Sequence, residues 1–166
     1  MSKLTSKIVT NDLLLDTKLF LFDIDYTLCD PSDDPEDNII NGRPKRTTLQ
    51  LLKYAVSKDY KIGILTARRD EDNCYEQLSV FLKPYCKLDR NLVFAINSHH
   101  PNYKEYFGVQ KDYDAKAAVI KKLAKKFEKI LFIDDLHKNI YAARNLKIST
   151  VYSFLVTEYR NAYTYV

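Results

Sequence analysis

Two carboxylates, Asp23 and Asp25, stand two residues apart at the end of the apolar run Leu19-Phe20-Leu21-Phe22. Like charges that close raise one another's pKa unless a cation stands between them. A wholly apolar strand gains nothing from such a pair, so the pair marks a site, and a metal ion is the natural cation. A second acidic pair, Asp134-Asp135, follows another apolar run, Ile130-Leu131-Phe132-Ile133. Between them in sequence, Ile62-Gly63-Ile64-Leu65 ends in Thr66, followed by Ala67, Arg68 and Arg69. A hydroxyl beside the first amides of a helix makes a seat for an anion. Arg68 and Arg69 suit a second phosphate or leaving group, and equally a surface salt bridge. Lys116, near the start of the helix before the last acidic pair, offers fixed positive charge, with Lys111, Lys121 and Lys122 as competitors for that role.

These residues meet only if the strands carrying them are parallel, because their carboxyl ends then share one edge. Five apolar runs, at 18–23, 60–66, 92–96, 129–134 and 148–152, alternate with helical patterns. The alternation predicts an α/β fold, a Rossmann-like three-layer sandwich around a mostly parallel five-stranded sheet. Thr47-Thr48-Leu49-Gln50 reads as a capping box ahead of Leu49, Leu52 and Val56. Tyr75, Leu78 and Leu82 share a helical face after Asp70. Ala117, Ile120, Ala124 and Phe127 share another that Asp114 would cap, and Leu136, Ile140 and Ala143 mark the last. The tyrosine-rich tail from Tyr152 to Tyr165 is expected to pack over a sheet edge rather than to stack bases.

The length, 166 residues with 46% hydrophobic content, suits a single domain over residues 1–166 with its core at 18–152. Three cysteines at irregular spacing, no charged-then-apolar leader and no apolar run near a membrane span predict a reduced, cytoplasmic chain without a membrane partner. The formal charge of +4 fits a phosphorylated substrate or weak nucleic-acid contact, although a solvated helix face is the plainer account of the lysines. Cys74, Cys86, His99 and His100 lack the short ligand spacing of a structural zinc site. His137 is read as a helix-surface residue rather than a partner of the acids. Either acidic pair alone would serve as a helix or turn cap. Their occurrence together with Thr66 is what favours a site.

Taken in order, Asp23-Ile24-Asp25-Tyr26-Thr27, Thr66, Lys116 and Asp134-Asp135 resemble the four dispersed motifs of the haloacid dehalogenase superfamily of phosphohydrolases, over residues 18–150. The resemblance implies that Asp23 is a nucleophile forming an aspartyl-phosphate and that Asp25 is the general acid and base. It implies that Thr66 and Lys116 hold the phosphoryl oxygens, with Ala67, Arg68 and Arg69 on the substrate side. Mg²⁺ would be held by Asp23, by Asp25 through its backbone carbonyl and by one of Asp134 and Asp135, with Asp134 preferred. The implied strand order is fifth, fourth, first, second, third. Members commonly carry glycine where Tyr26 stands, and tyrosine there is similar to capless magnesium-dependent phosphatases. Asp134 to Ile140 also resembles the final motif of capless members.

Residues 28–46 leave room only for a short flap, and 67–115 are taken up by a helix, a strand and a loop, so no full cap domain is expected. An open pocket admits the end of a macromolecule. Thr66-Ala67-Arg68 resembles the second motif of capless polynucleotide 3′-phosphatases. The expected substrate is therefore a nucleic-acid 3′-phosphate end, ahead of a mononucleotide or other small phosphoester and then a phosphoprotein. A catalytically idle phosphate-binding module is the alternative from another class.

Overall fold

Leu19, Phe20, Leu21 and Phe22 are all buried, and they divide by parity: the two leucines enter one apolar cluster and the two phenylalanines the other. Side chains alternate across a strand, so this strand is covered on both faces, as in the middle of a parallel sheet. The computed structural model describes residues 17–31, 42–68, 74–96, 112–156 and 163–165. In chain order its elements are β1 (Lys18–Phe22), β2 (Cys29–Asp30), β3 (Arg43–Pro44), α1 (Arg46–Ser57), β4 (Lys61–Thr66), α2 (Cys74–Phe81), β5 (Val93–Ala95), α3 (Asp112–Leu123), β6 (Lys129–Asp134), α4 (His137–Asn145), β7 (Val151–Val156) and β8 (Tyr163–Tyr165).

The main sheet runs β5-β4-β1-β6-β7-β8. Its first five strands are parallel, and β8 adds antiparallel to β7 at the edge. The fold is thus α/β and Rossmann-like, in the expected strand order, and part of the tyrosine-rich tail extends the sheet edge as a strand. Helices α1 and α2 cover one face through Leu49, Leu52, Ala55, Cys74 and Leu78. Helices α3 and α4 cover the other through Ala115, Val119, Ile120, Leu123, Ile140 and Ala143. Gly63 on β4 leaves room for two leucine side chains of β1: a Cβ there would stand 3.0 Å from Leu21 Cδ1 and 3.1 Å from Leu19 Cδ1. Between β1 and α1 the described residues form only the small β2–β3 hairpin, at the two ends of the expected flap.

Several boundaries differ from expectation for identifiable reasons. Helix α1 has Lys45 at its N-cap with no side-chain cap, and Thr47 and Thr48 lie inside the helix. The chain there is pinned from outside: Lys45 N–H donates to the Leu28 carbonyl and Lys45 Nζ reaches Asp30. Val56 is exposed, and Ala55 takes the buried position at the end of that face. Asp114 lies within α3 rather than at its cap. A carboxylate in the first turn still complements the helix dipole. Leu136 is the N-cap residue of α4 and is exposed rather than part of its buried face. The last parallel strand runs Val151–Val156 rather than 148–152. Lys147 adopts a positive φ that closes α4, and Ser153 to Val156 continue into the core.

No helix among the described residues is long and apolar enough to cross a membrane.

Candidate active site

Parallel pairing brings the chemistry-bearing residues to one edge. The register pairs Phe22 with Ile133, so Asp23 and Asp134 follow side by side on β1 and β6, and Asp23 N–H donates to the Ile133 carbonyl. On the other flank Phe22 pairs with Ile64, which puts Thr66 two residues further along β4. Helix α3 supplies Lys116 from the sheet face it covers.

Lys116 Nζ donates to Asp23 Oδ1 at 2.9 Å and to Asp134 Oδ2 at 2.8 Å. It is only 2% exposed. Burial works against its charge, but Asp23 and Asp134 overcome that and hold its pKa above the ordinary lysine value. Lys121 and Lys122 are exposed, and among the described competitors it is Lys116 that reaches the acids. Lys111 lies outside the described residues.

Asp134 is wrapped by the protein. Its Oδ2 also accepts from Asn139 Nδ2 at 3.0 Å, and its Oδ1 accepts from the Leu136 N–H at 2.9 Å. Thr27 Oγ1 donates to Asp23 Oδ2 at 3.2 Å and lies 3.4 Å from Asp135 Oδ1. Burial, then the charge of Asp134, pushes Asp135 up to about 6. Burial likewise raises Asp23 well above the ordinary carboxylate value, against the pull of Lys116.

Oxygen atoms of Asp23, Asp134 and Asp135 lie within 4.8 Å of one another, so this group could bind a metal ion. Three carboxylates against one ammonium leave two negative charges, and the donors are all oxygen. A hard divalent cation fits both facts. The side chain of Asp25 is not in this group, and the resemblance assigns only its backbone carbonyl to the metal. That side chain is engaged by Arg68 instead: Nη2 donates to Oδ1 at 2.6 Å and Nε to Oδ2 at 3.0 Å. Such a fork fixes the orientation of the carboxylate as well as its position.

Thr66 is fully buried, and its Oγ1 accepts from the Arg68 N–H at 3.1 Å. That bond does not use its own hydroxyl hydrogen. Ala67 is half-buried in the same turn. Arg69 lies outside the described residues, as do His99 and His100. Cys74 and Cys86 belong to no metal-type group among the described residues. His137 is exposed and stacks on Tyr141, which agrees with a surface role.

Two residues of the site were not assigned roles from sequence. Thr27 is a hydroxyl four residues after Asp23, and Asn139 is an amide five residues after Asp134 that is buried on a helix otherwise polar at that point. A buried asparagine needs a partner, and the acid just upstream provides it. Compared with known proteins, the chain matches no family model and no curated protein.

Proposed function

We propose that the chain is a Mg²⁺-dependent phosphomonoesterase that works through an aspartyl-phosphate on Asp23, with a nucleic-acid 3′-phosphate end as substrate. Lys116 carries the reading: one buried ammonium is bonded at once to Asp23 and Asp134, within a cluster whose residual charge suits a divalent cation. Acids that only capped turns would need no buried lysine brought in from another helix.

Asp23, Asp134 and Asp135 would hold the metal, which when bound supplies neutralisation of the phosphoryl oxygens. The Asp23 carboxylate attacks phosphorus, and the bond from phosphorus to the ester oxygen breaks. The departing alkoxide takes a proton from Asp25. In the second half a water attacks phosphorus and gives its proton to Asp25. The bond between Asp23 and phosphorus then breaks, releasing inorganic phosphate. Lys116 and the Thr66 hydroxyl hold phosphoryl oxygens as charge shifts among them. Both Asp25 oxygens accept from the Arg68 fork in this structure, so Asp25 donates from an oxygen that Arg68 has released and that carries the proton.

The substrate class rests on the short chain between β1 and α1, which has no room for a cap domain, and on the Thr66-Ala67-Arg68 pattern. None of the three cysteines is in a disulfide, which supports a reduced, cytoplasmic setting. The test is phosphate release from a 3′-phosphorylated oligonucleotide against a panel of mononucleotides, with Asp23→Asn as the blank. The reading expects turnover with Mg²⁺, none in EDTA or with Asp23→Asn, and the higher kcat/KM on the oligonucleotide. Preference for mononucleotides would replace the substrate. Turnover of neither would replace the enzyme with a phosphate-binding module.

A further inference from the structure

Three non-glycine residues among those described have a left-handed backbone: Tyr26 at φ 61°, Asp59 at φ 62° and Lys147 at φ 54°. Two of them have an ordinary reason. Asp59 closes α1, with its N–H on the Val56 carbonyl and the Tyr60 N–H on the Ala55 carbonyl, and Lys147 closes α4 with its N–H on the Arg144 carbonyl. A left-handed residue is the usual end of a helix. Tyr26 ends no helix.

Its conformation is held from both sides. The Tyr26 N–H donates to the Cys29 carbonyl at 2.8 Å, and the Ile24 carbonyl accepts from the amides of Thr27, Leu28 and Cys29. Glycine would occupy this bend freely, whereas a bulky side chain there is uncommon. Backbone strain of this kind collects at functional sites. Tyr26 is also 46% exposed, while its two neighbours are engaged at the site, Asp25 by Arg68 and Thr27 with Asp23.

The adjacent strand end repeats the pattern. Leu136 follows Asp135 directly, is 56% exposed, and is fixed by its N–H on Asp134. Each acidic motif is therefore followed by a large apolar side chain left in water, on the loops of two neighbouring strands. A phosphoryl group by itself has no use for an exposed aromatic ring beside Asp25.

We propose that Tyr26 is a specificity-determining residue whose ring stacks on an aromatic ring carried by the leaving group, a nucleobase on its sugar or an aryl group. This rests on the phosphoester reading of the site. The hydroxyl of Tyr26 has no part in it, so phenylalanine should serve as well.

The experiment compares wild type, Tyr26→Phe and Tyr26→Gly. It measures kcat/KM on a nucleoside 3′-monophosphate and on glycerol 2-phosphate, calorimetric Kd for the nucleotide and for inorganic phosphate with Mg²⁺, and Tm. Tyr26→Gly is expected to melt no lower than wild type and to lose about tenfold or more on the nucleotide in both kcat/KM and Kd. Its handling of glycerol 2-phosphate and inorganic phosphate should stay within about twofold of wild type, and Tyr26→Phe should match wild type throughout. Equal losses on both substrates would overturn the proposal, making Tyr26 a mere support of the acids. So would an unchanged nucleotide preference. Absence of turnover by wild type would sink the phosphatase reading alone, because the ratio of the two Kd values still decides the role of the ring.

Discussion

Without metal, the acid cluster should make the protein less stable as pH rises, and Asp135→Asn should be the more stable protein until metal is supplied. Asp135 sits at about 6 against an ordinary 3.8, raised first by burial and then by Asp134. Between those two values the folded chain keeps a proton that the unfolded chain has lost. The stabilisation is therefore full below the unfolded value and is lost as pH rises through the folded one. A difference of about two units is worth ~3 kcal/mol. Asp135 is partly open to solvent, and allowance for screening brings this to ~2 kcal/mol. For a chain of 166 residues, that is a shift of ~4–8 °C in Tm. Asp23 is raised by burial and acts in the same direction.

Asparagine at position 135 removes the proton linkage at nearly constant shape. In EDTA at neutral pH the variant should exceed wild type by ~2 kcal/mol, and the gap should close near pH 4. A divalent cation that binds only the folded wild type adds ~2.7 kcal/mol at a hundred times its Kd. The order of the two proteins should then reverse. Urea denaturation followed by circular dichroism, from pH 4 to 7 in EDTA and at pH 7 with Mg²⁺, reads both effects. A wild type more stable than Asp135→Asn in EDTA at pH 7 would refute the electrostatic account, and equal metal stabilisation of both proteins would refute the metal site.

Lys116→Met leaves Asp23 and Asp134 buried without their ammonium, and a loss of ~3–5 kcal/mol is expected in the urea midpoint in EDTA. Gly63→Ala puts a methyl against Leu21, Leu19 and, at 3.3 Å, the Leu92 carbonyl, so overpacking of ~1–3 kcal/mol should lower the midpoint with an unchanged m-value. Burial pushes the Cys29 thiol up to about 12, with the charge of Asp25 adding to it, and pushes Cys86 up to about 11. At pH 8 a thiolate-selective reagent should label both only as the chain unfolds. Prompt labelling of the folded protein would contradict their burial.

The sheet was legible because its strands are covered on both faces and therefore read as unbroken apolar runs. Periodicity finds those runs, while the order of the strands came from the resemblance. Helix starts were less legible because tertiary contacts set them. Nothing in Thr47-Thr48-Leu49-Gln50 announces that the Leu28 carbonyl holds the Lys45 amide. The acids and Thr66 were legible as polar residues where apolar runs stop. Thr27 and Asn139 were not, since a threonine in a turn and an asparagine on a helix are ordinary until folding brings them against Asp23 and Asp134. Tyr26 shows the same limit: its left-handed backbone is a property of the bend around the Ile24 carbonyl, not of its own side chain.

Geometry also separates two residues that sequence left equivalent. A carboxylate oxygen accepts about two hydrogen bonds. Asp134 Oδ2 already takes Lys116 and Asn139, and Oδ1 takes the Leu136 amide. Asp134 thus has one direction left to offer, and its main task is to hold Lys116 in place beside Asp23. Asp135 is held differently: Thr27 stands 3.4 Å away, and burial and the charge of Asp134 raise its pKa against hydrogen bonds with its backbone and with Asp23 and the charge of Lys116. Asp23 and Asp135 are both pushed toward the protonated form, so a cation entering the cluster would compete with protons for their oxygens. Asp23, Asp134 and Asp135 together could bind an ion, and on this argument we propose that Asp135 shares that role with Asp134, the acid the motif prefers.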